Sequence, residues 1–99
     1  MTMEFDDTNR QSAAATTGLT LYYFPACPFC IIVLDVIEDL DLSIGLRNIH
    51  ADPRWRQELI EGGGRRTVPC LRIEDDGRGV KWMYESRHII HYLQERFGA

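Results

Sequence analysis

The stretch Leu19-Thr20-Leu21-Tyr22-Tyr23-Phe24-Pro25-Ala26-Cys27-Pro28-Phe29-Cys30 decides how the rest of the chain reads. Its first six residues are dominated by Leu, Tyr and Phe and are bounded by Gly18 and Pro25, which predicts a strand buried on both faces. Two thiols follow. If Cys27 sits in the first turn of a helix, Cys30 lies on the same face, with Cα atoms inside the roughly 4.4–6.8 Å range that a disulfide requires. Pro28 suits the first helical position, where its missing N–H costs nothing, and the unpaired N–H groups of that turn favour a thiolate on Cys27. Cys27 is therefore expected as the nucleophile. Cys30, deeper in the helix, is placed to attack a mixed disulfide formed at Cys27 and expel the partner.

Downstream, Phe29 to Leu40 combines β-branched Ile31, Ile32 and Val33 with a length and periodicity that favour a helix. Asp35, Glu38 and Asp39 fall on one side, while Phe29, Val33, Val36, Ile37 and Leu40 form a wide apolar face, so a largely buried helix is expected. Ser43 to Ile49 returns to strand character and implies a parallel βαβ unit with a right-handed crossover. Asp52-Pro53 starts a second helix that presents Trp55 and Leu59 on one face and ends at Gly62-Gly63-Gly64. Cys70 to Glu74 and Val80 to Met83 read as a hairpin around a turn at Asp75 to Gly79. A last helix begins near Glu85-Ser86, with Ser as cap and Ile89, Ile90, Leu93 and Phe97 facing the sheet. The expected order is β-α-β-α-β-β-α, an α/β domain with a four-stranded mixed sheet over residues 18–99, preceded by a flexible tail over residues 1–17 whose apolar residues show no sustained period.

The 99 residues suffice for one core and not for two. A net charge of −4 without a basic tract argues against nucleic acid and anionic membrane surfaces as partners. The longest apolar run, Phe29 to Leu34, is far short of the roughly 20 residues that span a bilayer, and the acidic N-terminus is unlike a secretory signal. Three cysteines without such a signal fit a cycling pair in a reducing compartment better than a disulfide framework, and the cytoplasm is the expected location. No second Cys or Cys/His pair completes four zinc ligands, so no metal is expected. His88 and His91 read as a solvated helix face, His50 as structural or exposed. Trp55, Trp82, Tyr22 and Tyr23 read as core or rim packing. Cys70 suits a small buried hydrophobe at a strand start, although its place after Pro69 also allows it to lie near the pair.

A strand, then Cys27-Pro28-Phe29-Cys30 opening a helix, then Thr67-Val68-Pro69, then Tyr84-Glu85-Ser86 opening the last helix, resembles the glutaredoxins from Leu19 to Phe97. It is most similar to bacterial glutaredoxins whose N-terminal domain is like that of glutathione transferases. The resemblance implies a thioredoxin-like fold, a cis Pro69 beside the cysteines, and Val68 backbone groups that pair with glutathione or a substrate peptide. It also implies that Glu85 and Ser86 receive the γ-glutamyl end of glutathione at a helix N-terminus, with Phe29 and Thr67 at the same site. Many glutaredoxins carry a Lys three residues before the first cysteine. Phe24 stands there, and Arg66, with Arg65 second, is the candidate cation to replace it.

The implied function is a monomeric, glutathione-dependent thiol-disulfide oxidoreductase acting on protein disulfides or glutathionylated proteins through Cys27 and Cys30. One alternative is an iron–sulfur cluster held by two chains and two glutathiones through Cys27. Pro28 speaks against it, since cluster-carrying glutaredoxins usually have glycine there. Another is a transferase-like domain that conjugates electrophiles, against which stands the absence after Ala99 of the helical domain that such transferases carry.

Overall fold

The computed structural model describes residues 18–75 and 79–98; the expected N-terminal tail and the centre of the expected Asp75 to Gly79 turn lie outside them. The order is β1 (Leu19–Tyr23), α1 (Pro28–Asp39), β2 (Gly45–Asn48), α2 (Pro53–Glu58) running into a π-helical turn (Leu59–Gly63), β3 (Cys70–Asp75), β4 (Gly79–Tyr84) and α3 (Ser86–Phe97). The sheet runs β2-β1-β3-β4. β1 and β2 are parallel, whereas β3 pairs antiparallel with both β1 and β4. This is the thioredoxin-like α/β arrangement with its four-stranded mixed sheet.

Strand alternation divides the core in two. Leu19 and Leu21 of β1 and Leu71 and Ile73 of β3 face Val33 and Ile37 of α1 and Ile89 and Leu93 of α3. The intervening Tyr22 and Cys70 face the other way, onto Leu59 and Ile49, with Trp55, Trp82 and Tyr84 packed around them. Because successive side chains of a strand point to opposite faces, β1 is buried on both sides, as its composition predicts. Tyr22 is buried with its polar end satisfied by protein groups: its hydroxyl donates to Glu58 Oε1 at 2.9 Å and accepts from Arg47 Nη1 at 3.1 Å.

Several boundaries differ from the sequence reading. α1 is less buried than its composition suggests, because only Cys30, Val33 and Ile37 are buried along it, while Phe29, Ile31 and Ile32 are exposed. Phe29, in the first turn, is 61% exposed and so leaves the predicted apolar face. β2 is an edge strand of four residues, shorter than the predicted Ser43 to Ile49. Ser86 is the first helical residue of α3 rather than its cap; Glu85 holds the cap position with φ 81°.

The second helix does end at the glycine run, with Gly64 at φ 89° as its left-handed cap, but it widens into a π turn first. The reason lies across the layer. A Cβ on Gly62 would fall on the Trp82 ring and one on Gly63 on the Tyr84 hydroxyl, so only glycine lets this backbone press onto β4. Tyr84 then holds the segment that follows, its hydroxyl donating to the Arg65 carbonyl at 3.0 Å and accepting from the Arg65 N–H at 3.3 Å.

Gly63→Ala is expected to destabilise the fold by about 1–3 kcal/mol through this clash. Tyr84→Phe, which removes the obstructing oxygen, should recover part of the loss in the double variant. Denaturant midpoints of the two single variants and the double variant decide the point, since simple additivity would mean that the two groups do not meet.

Candidate active site

Cys27 occupies the N-cap of α1, extended at φ −78° and ψ 118°, and Pro28 follows at the first helical position. The Cys30 N–H donates to the Cys27 sulfur at 3.4 Å, and the Cys27 N–H donates to the Phe24 carbonyl at 3.2 Å. The sulfur thus takes the place that a Ser or Asp oxygen takes in an ordinary cap, at the positive end of the helix. The two thiols differ in setting. Cys27 keeps 6% of its surface, whereas Cys30 is wholly buried. Burial first, then its hydrogen bond to Cys27, pushes the Cys30 thiol up to about 12. Both are free thiols here.

Beside the pair lies a cavity of about 260 Å³ lined by Phe29, Arg65, Thr67, Val68, Pro69, Tyr84, Glu85 and Ser86. Three separated segments meet there: the first turn of α1, the loop before β3, and the junction of β4 with α3. The Val68-Pro69 bond is cis. Of the residues expected from sequence, Phe29, Thr67, Val68, Pro69, Glu85 and Ser86 come together in this one cavity. Glu85 adopts a left-handed φ of 81°, a region costly for a residue with a Cβ, at the start of a 12-residue helix.

Arg66 is elsewhere. It lines a neighbouring groove of about 600 Å³ with Phe24, Ile49, His50, Pro53, Arg56 and Thr67. Its neighbour Arg65 takes the place in the cavity, its guanidinium 4.9 Å from the centre of the Tyr84 ring. Phe24, at the position where a lysine is common in the glutaredoxins, stacks on His50 with ring centres 4.3 Å apart and planes 15° from parallel. Sequence reasoning missed Tyr84 as a lining residue, although strand alternation from Trp82 would have put both on one face. It also missed Arg56, which lines the same groove as Arg66 because of how α2 docks and leaves no mark in the sequence.

Cys70 belongs to the other layer. It is fully buried between Tyr22, Ile49 and Leu59, on the sheet face away from α1. Burial pushes its thiol up to about 12, with the Tyr84 hydroxyl and the Arg65 charge pulling weakly the other way. His88 and His91 are exposed on α3, and no group of three or more metal-ligating residues occurs among the described residues.

Residues 21–99 match the family described as the glutathione S-transferase N-terminal domain. The sequence matches none of the curated proteins compared with it. Among solved structures, glutathione transferase E6 from Drosophila melanogaster is 31% identical with a TM-score of 0.60; the alignment covers 80% of this chain and 34% of that one. The chain therefore corresponds to a minor part of that transferase. Two smaller proteins share the fold. Wheat glutaredoxin aligns at 20% identity and TM-score 0.58, covering 88% of this chain and 80% of its own. The thioredoxin-like protein BC3987 aligns at 23% identity and TM-score 0.60, covering 79% and 97%.

The buried thiols make stability depend on alkaline pH. An unfolded cysteine ionises near its ordinary value of 9.0, whereas Cys30 and Cys70 hold their protons to about 12 when folded. Between those values the unfolded chain binds fewer protons, so stability is full below pH 9 and falls as pH rises toward 12. Tyr22 and Tyr84, also raised chiefly by burial, add to the loss above pH 10. In Cys70→Ala the slope of unfolding free energy against pH, measured under reducing conditions between pH 9 and 10, is expected to be shallower than in the parent. An identical slope would show that Cys70 titrates alike folded and unfolded.

Proposed function

The chain belongs to the family of glutathione S-transferase N-terminal domains, and on that premise we propose that it is a glutathione-dependent thiol-disulfide oxidoreductase whose working unit is residues 18–99. The observation that carries the reading is the unequal pair: one sulfur capped by a helix N-terminus, its partner buried and held protonated three residues on. A lone solvent-facing thiol would suit conjugation equally well. A second thiol stacked beneath the first suits a disulfide that must form and break.

The Cys27 thiolate attacks one sulfur of a glutathione–protein disulfide. A Cys27–glutathione disulfide forms, the protein sulfur leaves as thiolate and takes a proton. A glutathione thiolate then attacks the glutathionyl sulfur, so that oxidised glutathione departs and Cys27 thiolate returns; one glutathione thiol is consumed for each protein thiol released. With a protein disulfide the intermediate is Cys27–substrate; Cys30 attacks the Cys27 sulfur, the second substrate sulfur leaves as thiolate and takes a proton, and two glutathiones reduce the resulting Cys27–Cys30 disulfide, leaving as oxidised glutathione. Capping Cys27 favours the attack by Cys30: it removes the Cys27 charge and the hydrogen bond, two of the influences that keep Cys30 protonated.

The cavity suits glutathione as co-substrate. Val68, which lines the cavity, offers backbone groups for strand-like pairing with the tripeptide. The α3 N-terminus favours the γ-glutamyl carboxylate, and the Glu85 carboxylate meets its ammonium. Phe29 supplies an exposed apolar wall. We assign protein disulfides and glutathionylated proteins as substrates, a monomer as the working form, and the reducing cytoplasm as the setting.

Turnover of a glutathionylated substrate with glutathione and its reductase is expected from the parent and lost in Cys27→Ser; equal rates would reject the reading. Cys30→Ser should retain the glutathione-mixed-disulfide route while losing reduction of protein disulfides. For Glu85→Gly, relief of the left-handed φ should raise the melting temperature while glutathione affinity falls, by up to about fivefold for the loss of one exposed ion pair. Unchanged affinity would remove Glu85 from the site.

A further inference from the structure

Tyr84 ties down a short loop by both of its ends. Its hydroxyl donates to the Arg65 carbonyl at 3.0 Å and accepts from the Arg65 N–H at 3.3 Å, and in the β3–β4 ladder the same residue is paired with Cys70. Only Arg66, Thr67, Val68 and Pro69 lie between those two anchors. Thr67, Val68 and Pro69 line the cavity beside the thiols, and Glu85 and Ser86, which follow Tyr84 directly, line it too. The ring is held in turn. The Arg65 guanidinium lies 4.9 Å from its centre, and Gly63 comes so close that a Cβ there would fall on the hydroxyl. With its proton on the Arg65 carbonyl and a lone pair taken by the Arg65 N–H, the hydroxyl has little left for a ligand, so its influence on the cavity runs through the loop.

We propose, resting on the oxidoreductase reading, that Tyr84 is a positioning residue: its hydroxyl holds the Thr67 and Val68 backbone in the shape that receives the glutathionyl half of a mixed disulfide. A loop that leaves this shape binds more weakly in proportion to the time spent out of it. The thiols stand on a different element, at the start of α1, so the attack itself does not depend on the hydroxyl. Loss of the hydroxyl is therefore selective: it slows reaction with glutathionylated substrates and spares disulfides that place nothing in the cavity. With a glutathionylated peptide the Cys27 thiolate attacks the glutathionyl sulfur, and the peptide sulfur leaves as thiolate and takes a proton. An added dithiol then reduces the Cys27–glutathione disulfide, closing to its own cyclic disulfide and releasing glutathione.

The test compares one peptide whose single cysteine is joined by a disulfide either to glutathione or to cysteamine, with dithiothreitol as the only reductant and rates corrected for dithiothreitol alone. In Tyr84→Phe, kcat/KM for the glutathionylated peptide is expected to fall about fivefold, the factor that one net hydrogen bond supplies, while that for the cysteamine peptide stays at the parent value. Hydrogen exchange without ligand should be faster at the Arg66, Thr67 and Val68 amides of Tyr84→Phe and unchanged in α3. Gly63→Ala, which displaces the hydroxyl from outside the cavity, should show the same selective loss. Equal loss on both peptides, or loss on neither, in either variant overturns the positioning role alone. So does a selective loss in Tyr84→Phe without faster exchange of the loop, which would mean that the hydroxyl touches glutathione directly. Reduction of neither peptide by the parent above the dithiothreitol rate overturns the oxidoreductase reading and the positioning role with it.

Discussion

The hydrogen bond from the Cys30 backbone to the Cys27 sulfur, 3.4 Å long, fixes the relation on which the site depends. It exists because Pro28 opens α1 immediately after an extended Cys27, so that a sulfur stands where a cap oxygen usually does. The same geometry carries Cys30 down into the packing between α1 and the sheet, where water is absent and its proton is retained. One local arrangement therefore produces two thiols of different character. The cap position of the first and the burial of the second together set the order of attack.

The sheet serves this arrangement by separating tasks between its faces. α1 and α3 share one face and bring the thiol pair and the Glu85-Ser86 helix start to the same end of the molecule. The other face holds Tyr22, Cys70, Trp82 and Tyr84 against α2. Its glycines allow the π turn to close on β4, and Tyr84 then holds Arg65 at the entrance of the loop that carries Thr67, Val68 and Pro69. Packing on the far layer thus sets the position of a loop on the near side.

Much of this was legible in the residues, and the failures have physical reasons. Leu19 to Phe24 could be read because a short run of large apolar residues between Gly and Pro has few alternatives. The helix that follows was recognised by its period, yet its burial was overstated, since hydrophobicity does not reveal that one side of α1 stays uncovered, leaving Phe29, Ile31 and Ile32 exposed. The π turn was invisible because it follows from rings on β4, some twenty residues downstream. At the site, motif order brought six expected lining residues into one cavity, while the division between Arg65 and Arg66 depended on which way successive loop residues point, and loops have no period to read.

The central claim is that Cys27 reacts first and Cys30 only after it. Brief exposure of the fully reduced chain to oxidised glutathione, acid quenching and peptide mapping by mass spectrometry tests it most directly, with Cys30→Ser used to hold the first adduct. The account expects glutathione on Cys27, a Cys27–Cys30 disulfide replacing it in the parent, and Cys70 unmodified throughout. A first adduct on Cys30 or Cys70 would contradict it.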